Sequence, residues 1–224
     1  MATTQLLQLF SISTALLASG GIATLSLFDV PILQSQPASR ALPLTRWLFS
    51  RGSHVFPTAA LLSSASFFCL AYTALPRHAR SLSSLWRHMW HGRMGLYVAA
   101  AALTLSIAPF TQLMRPTNFA LIRLNEALGG SRSAASAAYR EEEHSKPLMA
   151  GEWPRGADES VHGVEHVSPW WDWSPPQERT RRDSSKKQDE EVKGLLDRFA
   201  MLNGVRAMLM GLGGVVGLMG ALAR

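Results

Sequence analysis

The stretch VFPTAALLSSASFFCLAYTAL, residues 55–75, carries no charged side chain. An α-helix needs about 20 apolar residues to cross the ~30 Å hydrocarbon layer of a bilayer, and this run is long enough. Its apolar residues do not alternate with polar ones, so a closed-barrel strand does not fit, and hydrocarbon admits nothing but helices and closed barrels. Three more runs repeat the pattern. Residues 1–28 are free of charge, with an apolar core at 6–28; residues 94–114 are likewise free, and 199–223 are interrupted by Arg206 alone. Nothing basic precedes the first run, which outlasts a signal peptide's apolar region, so it reads as a retained span.

Charge is distributed to match. The 224 residues hold 22 Lys+Arg and 16 Asp+Glu, a net charge of +6, and mean hydropathy is near zero at +0.04. Between Arg140 and Lys193 there are 9 basic and 13 acidic residues, so the rest of the chain keeps 13 basic and only 3 acidic ones. Basic residues in short loops between apolar runs belong to a membrane protein, whereas a nucleic-acid binder gathers them on a folded face. A single cysteine, Cys69, excludes an internal disulfide framework and a Cys-based zinc site.

The expected fold is all-α: a four-transmembrane-helix bundle with a long polar loop between helices 3 and 4. Residues 1–129 would carry helices 1–3, residues 130–193 a polar insert, and residues 194–224 helix 4, packed with the first three as one domain. The insert is rich in Ser, Gly, Pro and charge, and such a composition predicts disorder. Small residues recur every fourth position at Ala15, Ser19 and Ala23, and at Gly213, Gly217 and Ala221, a spacing that lets helices approach closely inside one chain. Pro109 should kink the third span. Trp47, Trp86 and Trp90, just outside spans two and three, read as interfacial anchors. Trp153, Trp170, Trp171 and Trp173 are unusual in a polar insert and suit a membrane surface or a partner.

Several residues offer chemistry. His162-Gly163-Val164-Glu165-His166 matches the H-x-x-E-H pattern of inverted zinc metalloproteases, but it sits among Gly and Pro where a ligand-bearing helix is not expected. His88 and His91, beside Arg87 and Arg93, read as a basic membrane-surface loop rather than a metal pair. Polar groups at membrane depth are more telling. Asn203 and Arg206 lie three apart in span four, hence on one helical face. A central arginine costs about 2.5–3.5 kcal/mol on insertion scales, less where it can snorkel. Pro116-Thr117-Asn118 closes span three, and His54 opens span two. Unperturbed histidine titrates near ~6.5 and serves as a general base at neutral pH, although a capping or interfacial histidine is the plainer reading.

These positions form an ordered set: Gly20/Gly21 with Ser26 and Pro31; Trp47, Gly52 and Pro57; Pro109-x-Thr111; Pro116-Thr117-Asn118-x-x-Leu121; and Phe199-x-x-Leu202-Asn203-x-x-Arg206. The set resembles the four-helix membrane family that includes the fungal anthrone oxygenases of anthraquinone and related polyketide (mycotoxin) pathways. It covers residues 17–124 and 196–222. Phe199 stands where that family usually has Trp, and the polar insert is longer than the family leads one to expect.

The resemblance implies a membrane-bound, cofactor-independent monooxygenase of secondary metabolism. It would oxidise the CH2 of an anthrone to the C=O of the anthraquinone with O2, with no metal and no bound cofactor. His54 would be the base, and Asn118, Asn203 and Arg206 would stabilise the oxyanion. The implied partners are a hydrophobic aromatic polyketide, O2 and the lipid bilayer, with no nucleic acid and with other pathway enzymes as possible associates. The implied location is a multi-pass endomembrane, such as the endoplasmic reticulum. The competing expectation is a non-catalytic tetraspan scaffold that docks pathway enzymes through the Trp-rich insert. A transporter fits less well, because no acidic residue sits within a span to couple ions.

Overall fold

The computed structural model describes residues 2–76, 80–88, 91–144, 156–162 and 171–223. Among them the elements are helical: α1 (Ala2–Thr24), a π-helical turn (Leu25–Asp29), α2 (Val30–Gln34), α3 (Ala38–Ala74), α4 (Leu82–His88), α5 (Gly92–Leu105), α6 (Ile107–Ala127), α7 (Ala134–His144), α8 (Ala157–His162) and α9 (Lys186–Leu222). Four stretches are long and apolar enough to cross a membrane: Thr3–Gln34, Ala38–Ala74, Gly92–Ala127 and Lys186–Leu222. The all-α, four-span architecture expected from the charge-free runs is therefore present.

Prolines shape the spans locally. Pro31 has no N–H to give the carbonyl four residues back, and the π-helical turn Leu25–Asp29 sits just ahead of it. Pro109 likewise leaves the Leu105 carbonyl without its helical donor. The helix breaks at Ser106, between α5 and α6, three residues before the proline expected to kink it.

The chain divides into two compact units. The first comprises Met1–Thr24, Val55–Leu113 and Asn203–Arg224. Its core holds Ala15, Ile22, Phe67, Leu70, Ala71, Tyr97, Ala100 and Met210. Its outer surface is also apolar, with Leu6, Leu9, Leu17, Leu61, Leu212 and Leu222 exposed, whereas Ser11, Ser63, Ser64 and Thr104 are buried. Lipid removes the hydrophobic reason to hide leucine, so small and hydroxyl-bearing side chains take the contact surfaces instead. Ser19 Oγ donates to the Ala207 carbonyl at 2.7 Å and Ser64 Oγ to that of Ala101 at 3.0 Å.

The glycine stripe of α9 explains itself in the same way. A Cβ at Gly213 would lie 2.6 Å from Thr104 Cγ2 and 3.2 Å from the Ala100 carbonyl oxygen, and one at Gly217 would overlap the Phe67 ring. At Gly204 a Cβ would meet nothing within 4 Å. Gly204→Ala is therefore expected to stabilise the protein by roughly 0.5–1 kcal/mol, through helix propensity. Gly213→Ala is expected to destabilise it by about 1–3 kcal/mol through overpacking against a stiff β-branched neighbour. Thermal unfolding of the two purified variants checks this; equal shifts of one sign would discard the close-approach account.

The second unit comprises Leu25–His54 and Met114–Leu202. Val30, Leu33, Ala38, Leu42, Met114, Leu121, Leu128, Val192, Leu196 and Phe199 form its core. Here the expectation of disorder across 130–193 extends too far at both ends. Helix α7 occupies 134–144, and α9 begins at Lys186 rather than near Phe199. Composition predicted disorder because it counts charges without their partners. In the structure Asp189 Oδ1 accepts the first N–H of α3, that of Ala38, at 2.7 Å. The Thr180 N–H donates to the Ser39 carbonyl at 2.8 Å, and the Arg182 N–H to that of Leu128 at 3.0 Å. Gly129 makes the return possible. At φ +75° it takes the left-handed conformation that ends a helix, and the Gly130 N–H bonds back to the Asn125 carbonyl at 2.7 Å.

Candidate active site

Span four brings the most unusual side chains. In the first unit Asn203 is wholly buried and Arg206 only 7 % exposed, although both lie in a run that is otherwise free of charge. Their three-residue spacing puts them on one face of α9, and Arg206 Nη1 donates to Asn203 Oδ1 at 3.0 Å. The alternative expected for Arg206, a guanidinium snorkelling outward, is not what the structure shows. With Oδ1 turned to Arg206, the donor end of the Asn203 amide, Nδ2, points away from it. The result is a guanidinium and an amide held together in a low-dielectric interior, where hydrogen-bond donors act most strongly on developing negative charge.

His54 and Asn118 belong to the second unit. His54 is half-buried on α3 and feels the charge of Arg132. On α6, Pro116 interrupts the backbone ladder, and its two successors carry buried oxygens without a hydrogen-bond partner: Thr117 Oγ1 and Asn118 Oδ1. An unmet buried polar atom typically costs about 1–3 kcal/mol, so these two positions are where a polar ligand or water would be welcome. Thr111, by contrast, spends its hydroxyl on the Ile107 carbonyl at 2.7 Å. The structure thus joins Asn203 to Arg206 directly, and it assigns the other two expected residues to the second unit.

Sequence reasoning missed a buried ionic cluster in the second unit. Glu126 and Arg140 form a salt bridge at 2.8 Å with both side chains almost fully enclosed. Ser160 Oγ donates to the other oxygen of Glu126 at 2.7 Å, and Arg46 Nη2 donates to the Ser160 carbonyl at 2.8 Å. Arg140 also reaches the Gly130 carbonyl at 3.0 Å. Asp172 is a second buried acid. Burial pushes its carboxyl up, but hydrogen bonds from Ser133 and Ser174 and the charge of Arg132 outweigh that and hold it below the usual carboxylate value. The sequence did hold one signal: Glu126 is one of only three acids outside 140–193 and closes a span, so it needs a partner.

Trp47, expected to lie at the interface, is half-buried, and its indole N–H donates to the Ser174 carbonyl at 3.0 Å. Trp86 is exposed on α4. Trp90, Trp153, Trp170, residues 163–166 of the H-x-x-E-H motif and the His88 and His162 side chains lie outside the described residues. Among the described residues no group of three or more metal-binding side chains comes together.

A family model described as anthrone oxygenase matches residues 46–156. The match takes in Trp47, His54, the Pro116-Thr117-Asn118 string and the Glu126–Arg140 pair, and it stops short of α9. No curated protein and no solved structure matches the chain.

Proposed function

We propose that this chain, which belongs to the anthrone oxygenase family, is a membrane-embedded oxygenase that turns the CH2 of an anthrone-type polyketide into the C=O of the anthraquinone. The methylene of an anthrone is acidic because two aromatic rings flank it and a carbonyl is conjugated with it. Deprotonation gives an electron-rich enolate that can hand an electron to O2 without help from a cofactor. The balanced change is CH2 plus O2 to C=O plus H2O. The protein then has three tasks: to remove a proton, to stabilise the enolate oxygen, and to keep water away from both. In this reading His54 is the base, Asn203 and Arg206 are donors to the oxyanion, and Asn118 is a further donor.

One observation carries the reading: the amide–guanidinium pair of Asn203 and Arg206 is buried within a span. A purely structural span has no use for a buried arginine that costs several kcal/mol, and intramembrane ionisable residues mark function by default. Donors fixed before reaction are worth about 2.7–4 kcal/mol of barrier each where they have been removed singly.

Anthrones also oxidise in air, so the test compares initial rates of quinone formation in membranes with and without the protein, under 18O2. Faster formation with label in the new carbonyl is expected. Equal initial rates would overturn the proposal.

A further inference from the structure

We propose that Trp171 and Trp173 form an interfacial anchor, which fastens the polar segment before α9 to the headgroup layer of the membrane the chain spans. Both rings are open to the surroundings, Trp171 at 76 % and Trp173 at 84 % exposure, whereas Asp172 between them is buried. Two bare indoles in succession are costly in water, since each presents a large apolar face.

The backbone around them is pinned, so the rings cannot simply fold inward. Arg51 Nη2 donates to the Asp172 carbonyl at 2.6 Å and to the Ser174 carbonyl at 3.0 Å. Trp47 Nε1 donates to the same Ser174 carbonyl at 3.0 Å, and the Arg51 guanidinium lies over the Trp47 ring, 3.8 Å from its centroid. From the other direction, Asp172 Oδ1 accepts both the N–H and the hydroxyl of Ser174, at 3.0 and 2.5 Å. The aspartate turns in, and the indoles on either side of it are left outside.

The pin also sets a depth. Arg51 stands four residues ahead of residue 55, where the charge-free run of α3 begins, and α3 is one continuous helix there. Four residues of helix rise about 6 Å. The interfacial zone on each side of a ~30 Å hydrocarbon layer is about 5–8 Å deep. Arg51 itself therefore stands about one helical turn outside the charge-free run, at the height where Trp is most at home, its ring among glycerol and upper acyl carbons and its N–H towards water. The flanking chemistry favours lipid over a protein groove. Arg179, Arg181 and Arg182 are exposed beside the equally exposed Glu178 and Asp183, and Arg181 also pairs with Glu141 at 3.2 Å; such mixed charge suits a zwitterionic headgroup layer rather than an apolar interface core.

The test uses the full chain, purified and reconstituted into phosphatidylcholine vesicles carrying bromine either high or low on the acyl chain. Fluorescence of the wild type is compared with that of Trp171→Phe/Trp173→Phe, substitutions at exposed positions that leave helical content unchanged by circular dichroism. The emission lost in the double variant should be the part most strongly quenched by the shallow bromines and protected from aqueous iodide. Arg51→Gln, which releases the carbonyls, should lower that quenching while both indoles remain. If the component lost in the double variant is quenched by iodide and insensitive to bromine, the indoles face water or await a protein, and the anchor is wrong. Quenching strongest with the deep bromines would also overturn the assigned depth.

Discussion

Replacing Asn203 with Leu and Arg206 with Met in the same chain is expected to lower the initial rate of quinone formation by at least about 10²–10³-fold, the loss seen when one preorganised oxyanion donor is removed. The double variant should still insert and fold. A buried ionic or polar group exchanged for apolar side chains of similar volume is often neutral or stabilising, because the desolvation penalty disappears with the charge. Activity and stability are thus expected to move apart, which a structural role for the pair would not produce. Arg206→Met alone removes the donor that Asn203 Oδ1 accepts at 3.0 Å, so it should cost stability as well as rate. Unchanged turnover in the double variant would take the oxyanion role away from α9 altogether.

The second large effect is expected at the ionic cluster. Glu126→Ala leaves the Arg140 guanidinium buried without its carboxylate and Ser160 without its acceptor. Breaking one side of a buried ion pair costs about 3–5 kcal/mol. Unfolding of the detergent-solubilised protein should show that loss, and Glu126→Leu/Arg140→Met should recover most of it, since no lone charge is left behind. A change below about 0.5 kcal/mol, the range of ordinary surface substitutions, would mean that the pair is solvated. The same cluster decides how an enzyme can be told from a docking scaffold. Deleting residues 130–193 would not separate them, because it removes Arg140, Ser160 and Asp189 and would cripple either kind of protein.

The spans were readable because hydrocarbon imposes a demand that every residue in a run must meet; residues 55–75 announce a helix without any knowledge of their neighbours. The Asn203–Arg206 contact was readable too, since a spacing of three on a helix is a distance. The early start of α9 was harder to see. Val192, Leu196 and Phe199 recur at helical spacing and are buried, yet Lys186, Lys187, Asp189, Glu190 and Glu191 swamp that pattern with charge. Glu126 and Arg140 lie on different helices, so no local periodicity pairs them. Trp47 could be read as interfacial from its position, but not its bond to a carbonyl 127 residues away. Long-range partners of this kind are set by the fold and leave no mark in a window of sequence.

The bond between Asp189 and the Ala38 amide joins residues 151 positions apart. Synthesis proceeds at about 5–20 residues per second, so the ribosome needs on the order of 10–30 s to deliver the acceptor after the donor has emerged. Throughout that interval the opening turn of the second span stays unlatched, and a polypeptide halted before its final helix never closes it.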